Sequence, residues 1–387
     1  MARPSSALID LAAGRSPAIS ALDVPLVRSA TEHRMHGLLY SWAAEQQLLE
    51  GEAGAILTAA EARSWARNQL LAVHAGRLEK SAADHGVEVT FIKGVALESQ
   101  IYSRLGERPT SDMDICIRGG TTEDVAAWVT SLQPHHVWVP HLTALLDGHH
   151  IQSVDLVVDG VEVDVHFDPL KLEIVDARRP AELLARRATC QVGSESVTGL
   201  DTEANLFIAL LHLNKDRFRS LLGFSDVRRL LRRVEDWDWI VRYATVEGLR
   251  TPILASLETV TSTLEIADDV PRSSGFGQRL WSVAWPADVR LLGREGVVRF
   301  RYRQMLIPLF GRGRRWEAAR GLLRRVLPPA PMVRAFYPGV RGGYIRTLVV
   351  GRIARRRQRS RQRGTASSDS ALTDKGITGG KDRERPR

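Results

Sequence analysis

With 387 residues, 44% of them hydrophobic and 26% charged, the chain can bury a full core and is not wholly disordered, collagenous or coiled-coil. Two cysteines, Cys116 and Cys190, make no disulfide framework and match no zinc spacing, and no apolar run reaches the ~18 residues of a membrane span, so a cytoplasmic protein with no transmembrane segment is expected. The net charge of +9 sits at one end: residues 311–387 hold 21 Lys and Arg against 5 Asp and Glu, a net of +16, while residues 1–310 hold 33 against 40, a net of −7.

Residues 1–85 read as an N-terminal helical region, with Leu70, Leu71, Val73, Ala75 and Leu78 recurring near a 3.6-residue period. The pattern breaks at His85-Gly86, a helix stop, and VEVTFI follows as a strand of β-branched and aromatic residues. KGVALESQIYSRLG reads as a helix, DMDICIR as an alternating strand, and TTEDVAAWVTSL as a helix whose threonines and acids suit an N-terminus. VDLVV and VEVDVHF then flank Asp159-Gly160, a pair suited to a type I′ hairpin turn. These elements define an α/β core at 86–170. Residues 171–330 read as a C-terminal helical domain, with DTEANLFIALLHL, DVRRLLRRV and DWDWIVRYATVEG followed by helices near 251–265, 277–308 and 314–327. A basic strap and a disordered Arg-rich tail are expected at 331–387, since GTASSDSALTDKGITGGKDRERPR offers too little apolar surface to fold.

Phosphate loops of the GxxxxGK[ST] type, HExxH, CxxC and GxSxG are all absent from the sequence, and what remains is a set of carboxylates on strands. Strand alternation turns Asp112 and Asp114 to one face, with Met113, Ile115 and Ile117 on the other. The same parity in VEVDVHFD puts Glu162, Asp164, His166 and Asp168 opposite Val161, Val163, Val165 and Phe167. If the two strands are neighbours, Asp164 is a third carboxylate facing the pair. Three clustered carboxylates repel one another, and a divalent cation is the natural counter-charge. Mg²⁺ takes such oxygen ligands together with substrate phosphates, and one or two such ions suit nucleotide chemistry.

Phe91 to Leu97, Tyr102, Arg108-Pro109-Thr110-Ser111-Asp112-Met113-Asp114-Ile115 and Val163-Asp164-Val165-His166-Phe167 together resemble the uncharacterised nucleotidyltransferase family of the polymerase β-like superfamily. Downstream, His212, Lys215 and Asp226 are similar to that family's helical signature. The resemblance implies an α+β fold, a small mixed-sheet nucleotidyltransferase core flanked by N- and C-terminal helical regions. It implies Asp112 and Asp114 as the metal-binding pair, and Asp164 as a third ligand or as acceptor of the attacking hydroxyl's proton. Lys93 and Gly94 would open the phosphate-holding loop and helix. The superfamily's usual Gly-Ser is Gly94-Val95 here, so Lys93 and Arg108 are the candidates to supply the missing grip.

Plainer readings stand beside these. His166 reads equally as a substrate or carboxylate contact and as a structural histidine. His212 and Lys215, at i and i+3 on one helical face, either reach the nucleotide or acceptor or simply pair with Asp226. Trp237 and Trp239 read as helix packing, and His135, His136, His141, His149 and His150 as surface loop residues. The seven arginines of 352–363 lack interleaved aromatics, leaving weak, salt-sensitive contact with RNA or an anionic surface, or simple solubilisation. The expected activity is Mg²⁺-dependent transfer of a nucleoside monophosphate from an NTP to an unknown small-molecule or protein acceptor. The alternative is a catalytically silent scaffold of the same fold, acting in a biosynthetic complex or on RNA.

Overall fold

The structure, a computed structural model, describes residues 4–133, 142–147, 151–170, 180–216, 218–266, 270–271 and scattered positions between 327 and 350. The five histidines of the 135–150 stretch, the helices expected near 277–308 and 314–327 (Leu327 apart) and the arginine run 352–363 lie outside the described residues. Among those described, no helix is long and apolar enough to cross a membrane.

Four helices come first: α1 (Ser6–Ala12), α2 (Val24–Glu32), α3 (His36–Glu45) and the 34-residue α4 (Gly51–Asp84). The stripe that α4 buries is Leu71, Ala75, Leu78 and Ala82, whereas Leu70 and Val73, expected on the same face, are 43% and 36% exposed. At ~100° per residue Leu71, Ala75 and Leu78 fall within ~60° of one another while Leu70 and Val73 lie ~80° or more to one side, and a stripe holding all five would cover over half of the helix. The helix stops at His85, and Gly86 takes the left-handed conformation there.

The sheet follows as β1 (Glu88–Ile92), β2 (Met113–Gly119), β3 (Ser153–Val158), β4 (Val161–His166), β5 (Arg187–Val192) and β6 (Glu195–Leu200), ordered β3-β4-β2-β1-β6-β5. It is mixed: β1 runs antiparallel to β2 and parallel to β6, β2 runs parallel to β4, and the outer pairs are antiparallel. Between the strands lie α5 (Gly94–Ile101), α6 (Thr122–Leu132), α7 (Leu142–Asp147) and α8 (Ala181–Ala185). After them come α9 (Thr202–Lys215), α10 (Leu221–Leu231), α11 (Trp237–Val246) and α12 (Arg250–Leu264). The expected α+β architecture, a mixed sheet flanked by helices, is what the chain forms.

Local signals account for several boundaries. Thr121 and Asp124 cap α6 reciprocally, Asp201 caps α9 by accepting from the Ala204 amide at 3.0 Å, and Asp159-Gly160 turns the β3–β4 hairpin with φ of 49° and 78°. One expectation fails: the sequence beyond Pro169 predicts helices, yet Arg187–Leu200 forms the β5–β6 hairpin and extends the sheet past residue 170. Its signal was there to read, since Gly193-Ser194 is a two-residue turn between alternating segments.

Two apolar cores sandwich the sheet. On one face Met113, Ile115, Ile117, Val161, Val163 and Val165 pack with Leu71, Ala75 and Leu78 of α4 and Val125 and Trp128 of α6. On the other, Ile92, Cys116 and Leu200 join a core shared by α1–α3 and α9–α12. The carboxylates point toward this second side.

Candidate active site

The parallel pairing of β2 with β4 sets Asp114 beside Asp164, and Cys116 beside His166. Strand neighbours lie ~4.8 Å apart, so two side chains of equal parity at one register position must meet. His166, fully buried, places Nε2 2.8 Å from Asp114 Oδ1 and 3.2 Å from Asp164 Oδ2. One ligand atom from each of Asp114, Asp164 and His166 lies within 4.8 Å of the others. The strand adjacency on which Asp164 depended is therefore present.

Lys93 closes the group from β1. It leaves the strand with φ 60° and ψ −150°, a conformation costing a side-chain-bearing residue about 1–3 kcal/mol, and donates from Nζ to Asp114 Oδ1 at 3.2 Å. Gly94, also at positive φ (51°), opens α5 against Thr110 and the Asp112 carbonyl, and no side chain caps the helix. The start of α5 thus lies against the loop that carries Asp112.

Burial alone would push the Asp114 carboxyl up. The Lys93 ammonium and the His166 hydrogen bond hold it well below the usual carboxylate range. Asp114 is ionised at neutral pH. His212 on α9 is shifted the other way, far below the ordinary imidazole value, first by burial and then by Lys93. Its ring is neutral, and both shifts place it in the electrostatic field of the group. Lys215, one turn on, is exposed.

Asp112 stands apart from the three-residue group. It precedes β2 by one residue and accepts from the Ser111 hydroxyl at 2.9 Å. Arg108, expected as a phosphate grip, is committed elsewhere. Its Nε and Nη2 donate to both Asp226 oxygens at 2.9–3.2 Å, and Nη1 reaches Thr110 Oγ1 at 3.3 Å. Asp226 also accepts from the Tyr102 hydroxyl at 2.7 Å, so it answers Arg108 and Tyr102 where the sequence offered His212 and Lys215 as partners. The physical reason is reach: α10 packs against α5, which brings Asp226 over the loop after Tyr102.

Two residues that sequence reasoning missed hold that loop from beneath. Glu98 of α5 accepts from the amides of Gly106 and Arg108 at 2.7 and 3.0 Å and from Asn68 Nδ2 at 2.6 Å, and Asn68 Oδ1 accepts from the Thr110 amide at 3.2 Å. The available signal was Glu98, the one charged residue in GVALESQI. Trp239 is buried, stacked on Tyr243 at 5.1 Å and covered by the Arg186 guanidinium, as helix packing requires.

Residues 24–265 match the model of the family described as uncharacterised nucleotidyltransferase. No curated protein matches the chain. Among solved structures it is similar to an antigenic nucleotidyltransferase-like protein from Paracoccidioides brasiliensis, at 13% identity and a TM-score of 0.35, over 53% of this chain and 94% of that one.

Proposed function

Since the chain belongs to the uncharacterised nucleotidyltransferase family, we propose that it moves a nucleoside monophosphate from an NTP to a hydroxyl or phosphate of an acceptor, releasing pyrophosphate. The observation that carries this reading is the Asp114–Asp164 register pair, ionised at Asp114 and flanked by Lys93 and His166. The donor set fits a divalent cation, because oxygens of Asp114 and Asp164 lie within 4.8 Å of each other and of His166 Nε2, beside the loop that carries Asp112. Asp112, Asp114 and Asp164 are the residues that would hold one or two Mg²⁺ ions. When bound, such ions neutralise charge on the attacking and leaving oxygens of an in-line displacement.

The chain's own groups do the rest. Lys93 and the uncapped amides from Gly94 onward hold the triphosphate, where the positive end of α5 favours an anion. Asp164 takes the proton from the acceptor hydroxyl. His212 and Lys215, one turn apart on α9, face the nucleotide or the acceptor, and neutral His212 adds a donor or acceptor without adding charge.

Asp112→Ala and Asp114→Ala test the reading by pyrophosphate release and by mass spectrometry of candidate acceptors carrying an added nucleotide. Loss of about two or more orders of magnitude is expected from removing either carboxylate; undiminished turnover would overturn the mechanism. Calorimetry with ATP, GTP, CTP and UTP, with and without Mg²⁺, separates this reading from a silent scaffold, which binds none of them.

A further inference from the structure

We propose that the cation site is nitrogen-ligated: His166 Nε2 coordinates the ion together with Asp114 Oδ1 and Asp164 Oδ2, so this position prefers a borderline first-row ion such as Mn²⁺ over Mg²⁺. The inference rests on the cation-dependent reading above and goes beyond it by fixing the donor set.

The geometry argues for it. Bonds of ~2.1 Å to an octahedral ion put neighbouring ligand atoms ~3.0 Å apart. His166 Nε2 lies 2.8 Å from one carboxylate oxygen and 3.2 Å from the other, on either side of that edge length. The imidazole cannot swing away, because it is fully buried on β4 and its backbone is fixed opposite Cys116 by the parallel ladder. Without an ion Nε2–H donates to Asp114, and a cation that displaces this proton meets the Nε2 lone pair at the centre of the group. An ion drawn to the two aspartates therefore meets that nitrogen.

The donor set then selects the metal. Mg²⁺ is hard, favours oxygen and gives up its water reluctantly, whereas imidazole suits the later first-row ions and Mn²⁺ tolerates both donor types with octahedral geometry. Asp112 lies outside the histidine's reach, so an ion it shares with Asp114 and the nucleotide phosphates keeps oxygen ligands and suits Mg²⁺. The two positions differ by one nitrogen.

The rival arrangement has the same distances: Nε2–H donates to both carboxylates and never meets the ion. Pulsed EPR of the full chain loaded with Mn²⁺, alone and with a non-hydrolysable ATP analogue, separates the two. Direct ligation gives ¹⁴N modulation that is retained in His212→Asn, lost in His166→Asn, and lost in wild-type protein grown with ¹⁵N-histidine. The isotope arm needs no variant and so stands even if His166→Asn fails to fold. Competition calorimetry should show Mn²⁺ at least ~10-fold tighter than Mg²⁺ in the wild type, the ratio collapsing in His166→Asn. Bound Mn²⁺ without ¹⁴N modulation overturns the nitrogen ligand and leaves the proposed function standing. Absence of saturable binding by either ion, with or without the nucleotide analogue, removes the cation-dependent reading itself and this inference with it.

Discussion

Glu98 and His36 are both buried, and burial moves them in opposite directions because it penalises whichever form is charged. Desolvation lifts Glu98 from 4.5 to about 7 against the pull of its amide, Arg108 and Asn68 partners. It drops His36 from 6.5 to about 4, with Arg34 and Arg63 adding to the shift. The unfolded chain releases the Glu98 proton near pH 4.5 and the folded one near 7, so this residue removes stability as pH rises through that window. The unfolded chain protonates His36 near pH 6.5 and the folded one only near 4, so its contribution is complete above 6.5 and is lost as pH falls. Each swing is about 3 kcal/mol, and in the wild type the two oppose one another. Urea unfolding across pH 4–8 should therefore give difference curves of opposite slope. Glu98→Gln gains on the wild type from pH 4.5 to 7, and His36→Gln loses ground from pH 4 to 6.5. A flat difference curve for either variant would contradict the assignment.

At the level of elements, the Arg108–Asp226 pair couples the loop that leads into β2 to the helices. Arg108 lies on the loop between α5 and β2 that ends in Asp112, Asp226 lies on α10, and both side chains are largely buried, at 11% and 6% exposure. Tyr102 adds its hydroxyl to Asp226, and the Arg229 guanidinium covers the Tyr102 ring at 4.4 Å. Removing one partner leaves the other charge buried and unmatched, a loss of about 3–5 kcal/mol. Arg108→Met and Asp226→Leu should each lower stability by about that much in denaturant unfolding. The double variant Arg108→Met/Asp226→Leu should recover part of it, because no lone charge remains, but not all, because the Tyr102 hydroxyl loses its 2.7 Å acceptor. Full additivity of the two single losses would mean that the pair does not act as a unit.

At the scale of the whole molecule, the N-terminal helices and the C-terminal helices share one core. Leu8, Val27 and Leu39 pack in the same cluster as Phe207, Phe224 and Ile253. The site faces that core, and its charged groups run from Lys93 to Lys215. Among the described residues, none comes from the segment that carries the +16. Deleting residues 352–387, which supply none of the described site groups, should leave NTP affinity within about twofold at physiological salt. A selective loss on a polyanionic acceptor would show that the tail contacts it.

Local and periodic features were legible in the sequence because they depend on near neighbours. The Asp159-Gly160 turn, the capping of α6 and α9, and the alternation that puts Asp114 and Asp164 opposite their valine and isoleucine neighbours all follow from spacing along the chain. What the sequence could not decide was which distant elements meet. The 41 residues between β2 and β4, 120–160, contain nothing that states their parallel register, yet that register alone unites Asp114, Asp164 and His166. The partner of Asp226, the buried support of Glu98 beneath the Asp112 loop and the place of β5–β6 in the sheet were decided in the same way. Spacing along a chain settles which face a side chain takes. Burial of a shared apolar core settles which faces come together, and only the second makes three residues a site.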